Sequence, residues 1–314
     1  MQTKPEFHVI LGTGPLGQSV MRELVRRSAR VRMVNRSGKA AVGAPPAIEF
    51  AAADLYQAEQ VRQVTRDASI VYQCAQPEYT EWPEKFPPLI ESILAGLDES
   101  TRLGAGDNLY MYGAVDGPIH EDLPYTNTGR KGPTRARIAE MLLAAHRSGR
   151  VPVTIGRGSD FFGPGVTGSV VGETVFGALA RGKAANVMGN IDLPHTYTFI
   201  DDFGRALVEL GRRDEAFGQA WHVPNAAPVT TRQFVSMAAA ALGTQPRMVV
   251  AGRLMMRVLG LFIPELREMV ELEYEVLKPY VVDDRKYKRV FGDHSTPLPE
   301  AIRRTAAWYR DHLA

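Results

Sequence analysis

Near the start of the chain, Gly12-Thr13-Gly14-Pro15-Leu16-Gly17 follows the pattern G-x-G-x-x-G. It lies between a short apolar run, His8-Val9-Ile10-Leu11, and a segment with helical spacing at Leu16, Val20, Met21, Leu24 and Val25. That placement gives each glycine a task. Gly12 permits a tight turn, Gly14 lets backbone approach a pyrophosphate, and Gly17 lets the helix pack on the strand. Pro15 suits a first helical turn, where its missing N–H costs nothing. The helix start then offers N–H groups and partial positive charge to phosphates. A plain tight turn is the bland alternative; the strand–turn–helix context points to dinucleotide binding.

The dinucleotide type is set near the end of the second strand, about 20 residues on. There the sequence reads Val34-Asn35-Arg36-Ser37-Gly38. No carboxylate is present to accept from a ribose 2′-hydroxyl. Arg36 can instead pair with a 2′-phosphate through two parallel charge-assisted hydrogen bonds, with Asn35 and Ser37 beside it. This favours NADP over NAD, against the alternative of an ordinary surface arginine.

The elements that must hold these residues alternate. Strands are expected at His8–Leu11, Arg30–Val34, Ile48–Phe50, Ser69–Tyr72, Leu109–Tyr112 and Val151–Ile155. Helices are expected after the glycine turn, from Tyr56 to about Thr65, from Pro83 to Leu97 with a kink or delayed start at Pro87-Pro88, and over Thr134–His146. Alternation predicts an α/β fold, a doubly wound parallel Rossmann sheet with right-handed crossovers. After Ile155 the pattern changes, with helices expected over 170–180, 230–242, 254–277 and 298–313 and a strand at Tyr197–Ile200. The expected organisation is a nucleotide-binding domain at 1–165, receiving 195–225 as well, and a smaller, mostly helical substrate region at 166–314.

Composition bounds the partners. The 314 residues are 45% hydrophobic and 23% charged, with a net charge of +2, which is ordinary for a globular chain. The balance argues against nucleic acid. The apolar stretch from Leu254 to Ile263 is broken by Arg257 and Gly260 and is too short to span a bilayer. Nothing in Met1–Glu6 reads as a signal peptide. With one cysteine, Cys74, and no paired ligand spacing among seven histidines, neither a disulfide framework nor a metal is expected. A cytoplasmic protein acting on a small molecule is the expectation. The Asp-Asp-Phe-Gly at 201–204 lacks every other kinase motif.

Several segments together resemble the short-chain dehydrogenase/reductase superfamily, in its extended epimerase/dehydratase branch. They are the glycine turn, Ala53-Asp54-Leu55, Gln73-Cys74-Ala75, Tyr112-Gly113, Arg157 with Phe162-Gly163-Pro164-Gly165, Phe199-Ile200-Asp201-Asp202, and Thr296-Pro297-Leu298 with Trp308-Tyr309. The resemblance implies that Asp54 and Leu55 border an adenine and that Cys74, Ala75 and Gln76 line the nicotinamide-ribose side. It also implies dimers, as an analogy.

The chain departs from that pattern where the family does its chemistry. Asn108 stands where the family has Ser or Thr, four residues before the tyrosine of the Tyr-Gly pair. Counting back from Glu140, Ala136 and Gly132 occupy the lysine and tyrosine positions of Tyr-x-x-x-Lys, so both are absent. Lys131, Arg135 and Arg137 are the nearest cations. His195 stands for the family's phosphate-gripping arginine and Asp160 for an asparagine. The resemblance therefore describes a chain with a retained coenzyme site and a rebuilt substrate site.

Hydride transfer survives such a loss, because the coenzyme carries it. The loss removes a positioned acid/base worth about 10²–10⁴-fold. Asn108 can donate to a carbonyl oxygen. In an extended segment Tyr110 and Tyr112 would share its side. Lys131 can reach a ribose or act as an acid, and His195 can serve as acid/base. Each has a bland reading. Tyr112 and Tyr110 can be core aromatics, His195 an exposed bystander, Lys131 part of a solvated face and Asp160 a turn cap. Cys74 reads as a small buried hydrophobe, and Met255-Met256 as core or pocket lining. The leading expectation is an NADP-dependent oxidoreductase acting on a small carbonyl or enone-like substrate. Epimerase/dehydratase chemistry on a sugar-like substrate and a non-catalytic NADP sensor stand as alternatives.

Overall fold

The computed structural model describes residues 6–40, 44–252 and 271–313. The apolar stretch Leu254–Ile263 and Met255-Met256 lie outside them. So does most of the helix expected over 254–277, of which Tyr274–Leu277 is helical.

The chain divides into two units. Unit 1 comprises residues 1–108, 133–157 and 203–223; unit 2 comprises 109–132, 158–202 and 224–314. The segment 109–132, grouped with the first domain on sequence, therefore packs with unit 2, as does 158–165.

Unit 1 is built on β1 (Phe7–Leu11), β2 (Arg30–Asn35), β3 (Glu49–Ala52), β4 (Ile70–Gln73), β5 (Arg102–Asp107), β6 (Val153–Arg157) and a seventh strand, Ala220–His222. All pairings are parallel, in the order Ala220–His222, β6, β5, β4, β1, β2, β3. The order reverses between β1 and β4, which is the switch point where such sheets bind ligands. β1, β4 and β6 are buried along their whole length, as strands covered on both faces must be. On one face lie α1 (Pro15–Arg26) and the helix Ile200–Arg212, which contributes Leu207 and Val208 to a core with Val20, Met21 and Leu24. Gly204 makes that crossing possible: a Cβ there would fall 2.1 Å from Ser19 Oγ. Elsewhere α2 (Ala58–Thr65) packs at Gly96 of α3 (Trp82–Gly96), where a Cβ would meet the Ala58 carbonyl at 2.6 Å.

Three local expectations are corrected. The fifth strand is Arg102–Asp107, and 110–112 is a 3₁₀ turn. The misreading has a cause: Gly104 and Gly106 hide the strand's signature. Both glycines are needed for close approach, since a Cβ on Gly106 would lie 2.4 Å from Leu16 Cδ2. Asn108, Tyr110 and Tyr112 therefore do not alternate along one extended face. Second, α3 starts at Trp82 and runs through Pro87 and Pro88. The hydrogen bonds they forfeit would go to Pro83 and Glu84 in the first turn, and buried Trp82, Phe86, Leu89 and Ile90 hold the face down. Third, 170–180 holds a π-helical turn, Gly172–Gly177, before the short helix Ala178–Ala180.

The described residues of unit 2 include three two-stranded sheets: Asp160–Phe162 with Tyr197–Phe199, Pro194–His195 with Val229–Thr230, and Ala185–Met188 with Met248–Ala251. Its core gathers Phe162 and Phe199 from these strands, Phe176 from the π-helical turn, and Phe234 and Tyr309 from the helices Thr231–Leu242 and Leu298–Leu313. The Asp201-Asp202 motif is structural here. Asp202 Oδ2 accepts from the Thr296 N–H (2.6 Å) and Oδ1 from its hydroxyl (2.7 Å), just ahead of the last helix. No helix among the described residues is long and apolar enough to cross a membrane.

One buried group makes unit 1 acid-sensitive. His8, 1% exposed in β1, stacks on Tyr72 and lies 3.4 Å from its hydroxyl. Burial lowers its pKa from 6.5 to about 4, although Glu6 opposes the shift. The unfolded chain thus binds an extra proton between those values, and stability falls as pH drops below 6.5. The expected loss from this group is about 2 kcal/mol at pH 5 and ~3 kcal/mol near pH 4. Urea midpoints of wild type and His8→Gln at pH 7.5 and 5 check it: the variant's drop should be smaller by that amount.

Candidate functional site

The glycine turn has the geometry its sequence requires. Gly12 sits at φ +110° and donates its N–H to the Val34 carbonyl at 3.0 Å. A Cβ on Gly12 would lie 2.8 Å from the Ala75 nitrogen, and one on Gly17 would lie 2.2 Å from the Gly12 carbonyl oxygen. Strand, turn and helix are therefore in backbone contact. Gly14 differs: it caps α1 in an extended conformation, and nothing lies within 4 Å of where its Cβ would be. Pro15 takes the first helical position, and no side chain caps the helix. The first-turn N–H groups face an open cradle at the sheet's switch point. A dinucleotide pyrophosphate fits it. Thr13 contributes its carbonyl, 3.4 Å from Gln18 Nε2, and Leu16 packs inward against β5.

On the β2–β3 side, Asn35 shapes the loop that follows it. Its Oδ1 accepts from Ser37 N (3.0 Å), Ser37 Oγ (3.1 Å) and Gly38 N (2.7 Å), and its Nδ2 donates to the Lys39 carbonyl at 2.9 Å. Arg36, at the apex, is exposed. Asp54 turns the chain after β3 by accepting from Tyr56 N at 3.0 Å, and Leu55 is buried.

The β4–β5–β6 side holds a network that sequence reasoning missed as a unit. Asp107, the last residue of β5, lies between two buried guanidiniums. Its Oδ1 is 3.4 Å from Arg135 Nη1, and its Oδ2 is 3.2 Å from Arg157 Nε. Arg135, on α4 (Lys131–Arg147), stacks over Trp82 (4.0 Å) and Phe86 (4.6 Å). Its Nη2 donates to Gln76 Oε1 at 3.2 Å. The network thus links the ends of β4, β5 and β6 through α4. Asn108 follows Asp107 directly and is 8% exposed. Cys74 and Ala75 are half-buried after β4. Desolvation holds the Cys74 thiol well above the ordinary thiol range, so it is no nucleophile at neutral pH.

Within unit 2 the tyrosine position of the resemblance is filled from elsewhere. A Cβ on Gly132 would lie 2.3 Å from Asn127 Cγ, so the Asn127 carboxamide occupies that space. Asn127 Nδ2 donates to the Tyr110 carbonyl (2.9 Å) and lies 3.3 Å from the Tyr274 hydroxyl. Lys131 opens α4 fully buried, its N–H donating to Glu271 Oε1 at 2.7 Å. A solvated face does not describe it. Tyr112 is fully buried, edge-on to Tyr125 at 5.7 Å, while Tyr110 is half-buried. His195 is no exposed bystander. It is 5% exposed, its Nε2 lies 2.8 Å from Asp160 Oδ2, and its ring is flanked by Tyr197 and Tyr280. That pairing joins residues 35 apart in sequence, so spacing alone could not find it. Among the described residues no group of three or more His, Cys, Asp or Glu could hold a metal ion.

No protein-family model matches the sequence, and no curated protein matches it. Solved structures do. An epimerase from Methanothermobacter thermautotrophicus matches with a TM-score of 0.80 at 16% identity, over 99% of this chain and 94% of that one. A nucleoside-diphosphate-sugar epimerase from Pseudomonas aeruginosa matches at 0.78 and 19%, over 98% of each. A dTDP-glucose 4,6-dehydratase from Bacillus anthracis, solved with NAD, matches at 0.77 and 14%, over 98% and 97%. The chain has the epimerase/dehydratase fold. The resemblance to the extended short-chain dehydrogenase/reductase proteins thus holds along the whole chain at the level of fold, with a Rossmann sheet at its centre.

Proposed function

We propose that the chain binds a nicotinamide dinucleotide along Gly12–Gly17, prefers NADP, and moves hydride to or from a small carbonyl or enone-like substrate. The observation that carries this reading is the open space over Gly14 at an uncapped helix start on the switch point. The NAD in solved structures of this fold supports the coenzyme class. Backbone at Gly12, Gly14 and the start of α1 would hold the pyrophosphate. Arg36, with Ser37, would hold a 2′-phosphate, Asp54 and Leu55 would border the adenine, and Cys74, Ala75 and Gln76 would line the nicotinamide ribose. When bound, the coenzyme supplies the hydride chemistry.

The chain's own part is orientation and proton transfer. Asn108 has the donor to polarise a substrate oxygen. Among the acid/base candidates, His195 has its ring held by the Asp160 carboxylate, which is how a working imidazole is oriented. Lys131 and Tyr110 remain candidates, and burial favours a packing role for Tyr112. A second reading, epimerase or dehydratase chemistry on a nucleotide sugar, is favoured by fold likeness along the full length. His195 in place of the phosphate-gripping arginine weighs against a nucleoside-diphosphate substrate.

The test is coenzyme binding followed by fluorescence. NADPH is expected to bind more tightly than NADH. Arg36→Ala should weaken NADPH about tenfold or more while leaving NADH nearly unchanged, the loss of a charge-assisted pair. Equal affinities would remove the NADP preference. A panel of ketones, aldehydes and enones, followed by NADPH absorbance, then tests turnover; tight binding without turnover would favour a sensor.

A further inference from the structure

The loop that follows β4 is clamped from several sides. Gln73 Nε2, at the end of β4, donates to the Ala75 carbonyl. Gly12 of the glycine turn comes so close that a Cβ there would lie 2.8 Å from Ala75 N. Trp82 Nε1, at the start of α3, donates to the Pro77 carbonyl at 3.3 Å. Pro77 also restricts the backbone of Gln76, the residue before it, to extended conformations. Between these fixed points the Gln76 side chain is exposed, yet it too is tied down. Its Oε1 accepts from Arg135 Nη2 at 3.2 Å.

Arg135 is itself buried and held on three sides. Its guanidinium lies over the rings of Trp82 (4.0 Å) and Phe86 (4.6 Å), and its Nη1 is 3.4 Å from Asp107 Oδ1. Two ring faces and a carboxylate fix the guanidinium, and the guanidinium fixes the amide. It carries donors only, so the Gln76 carboxamide must turn its oxygen inward and its NH₂ outward. The contact is not needed to neutralise Asp107, which Arg157 Nε also approaches at 3.2 Å. Holding an exposed glutamine costs rotamer freedom. That cost is recovered when the held group meets a ligand, because a preorganised donor loses less on binding. We propose that Arg135 is a positioning residue for the coenzyme: through Gln76 Oε1 it holds the Gln76 NH₂ ready to donate to an oxygen of the nicotinamide ribose. The assignment rests on the coenzyme reading above and adds to it the group that orients the contact at the second ribose.

The test compares whole coenzymes with fragments that stop before the second ribose. The full chain and its variants are titrated by calorimetry with NADPH and 2′,5′-ADP, and in parallel with NADH and ADP, so that whichever coenzyme binds is read. Gln76→Met keeps the side chain's length and removes the amide. It should melt like wild type, bind the whole coenzyme about tenfold more weakly, and bind the fragment unchanged. Arg135→Lys keeps a cation for Asp107 but offers a point charge in place of the fork. It should reproduce the loss on the whole coenzyme alone, and the double variant should lose little more than either single one. An arginine with only a structural role would weaken coenzyme and fragment together, or neither. Coenzyme and fragment are read on one sample, so a poorly folded fraction of Arg135→Lys lowers both capacities alike and leaves the affinity ratio intact. Unchanged coenzyme affinity in Gln76→Met would overturn the proposal, as would equal losses on coenzyme and fragment, or losses that multiply in the double variant. Wild type that binds neither coenzyme sinks the coenzyme reading itself; wild type that binds one, with Gln76→Met unaffected, sinks only this assignment.

Discussion

Gly14→Ala is expected to leave the protein folded and cripple coenzyme binding. Gly14 sits at φ −69°, ψ −177°, which any residue adopts, and an added Cβ meets nothing within 4 Å. The stability change should therefore stay within about 0.5 kcal/mol, as for an unstrained surface site. The same methyl group stands in the space a pyrophosphate needs in order to reach the helix N–H groups. Displacing an anion by a fraction of an ångström from several donors forfeits more than one charge-assisted hydrogen bond, or about 100-fold in affinity. Gly17→Ala is the contrasting variant. Its Cβ would lie 2.2 Å from the Gly12 carbonyl oxygen, so the helix must shift, at a cost of about 1–3 kcal/mol for overpacking. Thermal melts and NADPH titrations of both variants check the contrast. If Gly14→Ala binds like wild type, the coenzyme does not lie over this helix.

The fold was legible because parallel strands covered on both faces read as short apolar runs, and because the glycine turn carries its pattern within one short segment, Gly12–Gly17. Legibility failed where a long-range requirement overrode a local signal. Gly104 and Gly106 look like loop residues, yet Leu16 and Tyr72 need the space they leave. Pro87 and Pro88 look like a helix start, yet Trp82 and Phe86 bury the turn before them. For the candidate site the division is similar. The coenzyme cradle lies within one short segment, whereas the His195–Asp160 pair, the burial of Lys131 and the filling of the Gly132 position by Asn127 depend on tertiary neighbours. The same argument explains why Asn35 read as a ligand candidate: only the folded loop reveals its carboxamide bonded to Ser37, Gly38 and Lys39.

Asp107→Ala is expected to be the most damaging single change in unit 1. The Asp107 carboxylate, 3% exposed, is shared by Arg135 and Arg157, whose side chains are 5% and 0% exposed. Removing one partner of a buried ionic pair costs about 3–5 kcal/mol, because the remaining charge has lost its compensation. Here two guanidiniums lose the same anion. That figure is a large part of the 5–15 kcal/mol typical of a domain. Asp107→Asn keeps the shape and one acceptor oxygen and should cost less, so the ordering wild type, then Asn, then Ala in urea midpoint is the measurement. Arg135→Leu separates charge from packing. Its guanidinium lies over Trp82 and Phe86 and also reaches Gln76, so this variant forfeits stacking while leaving the Arg157–Asp107 pair intact. A milder loss for Arg135→Leu than for Asp107→Ala would place the ionic anchor at the β5–β6 edge. From there it holds Asn108, the next residue along, at the carboxyl end of the sheet. Equal midpoints for wild type and Asp107→Ala would show that the carboxylate does not anchor that edge.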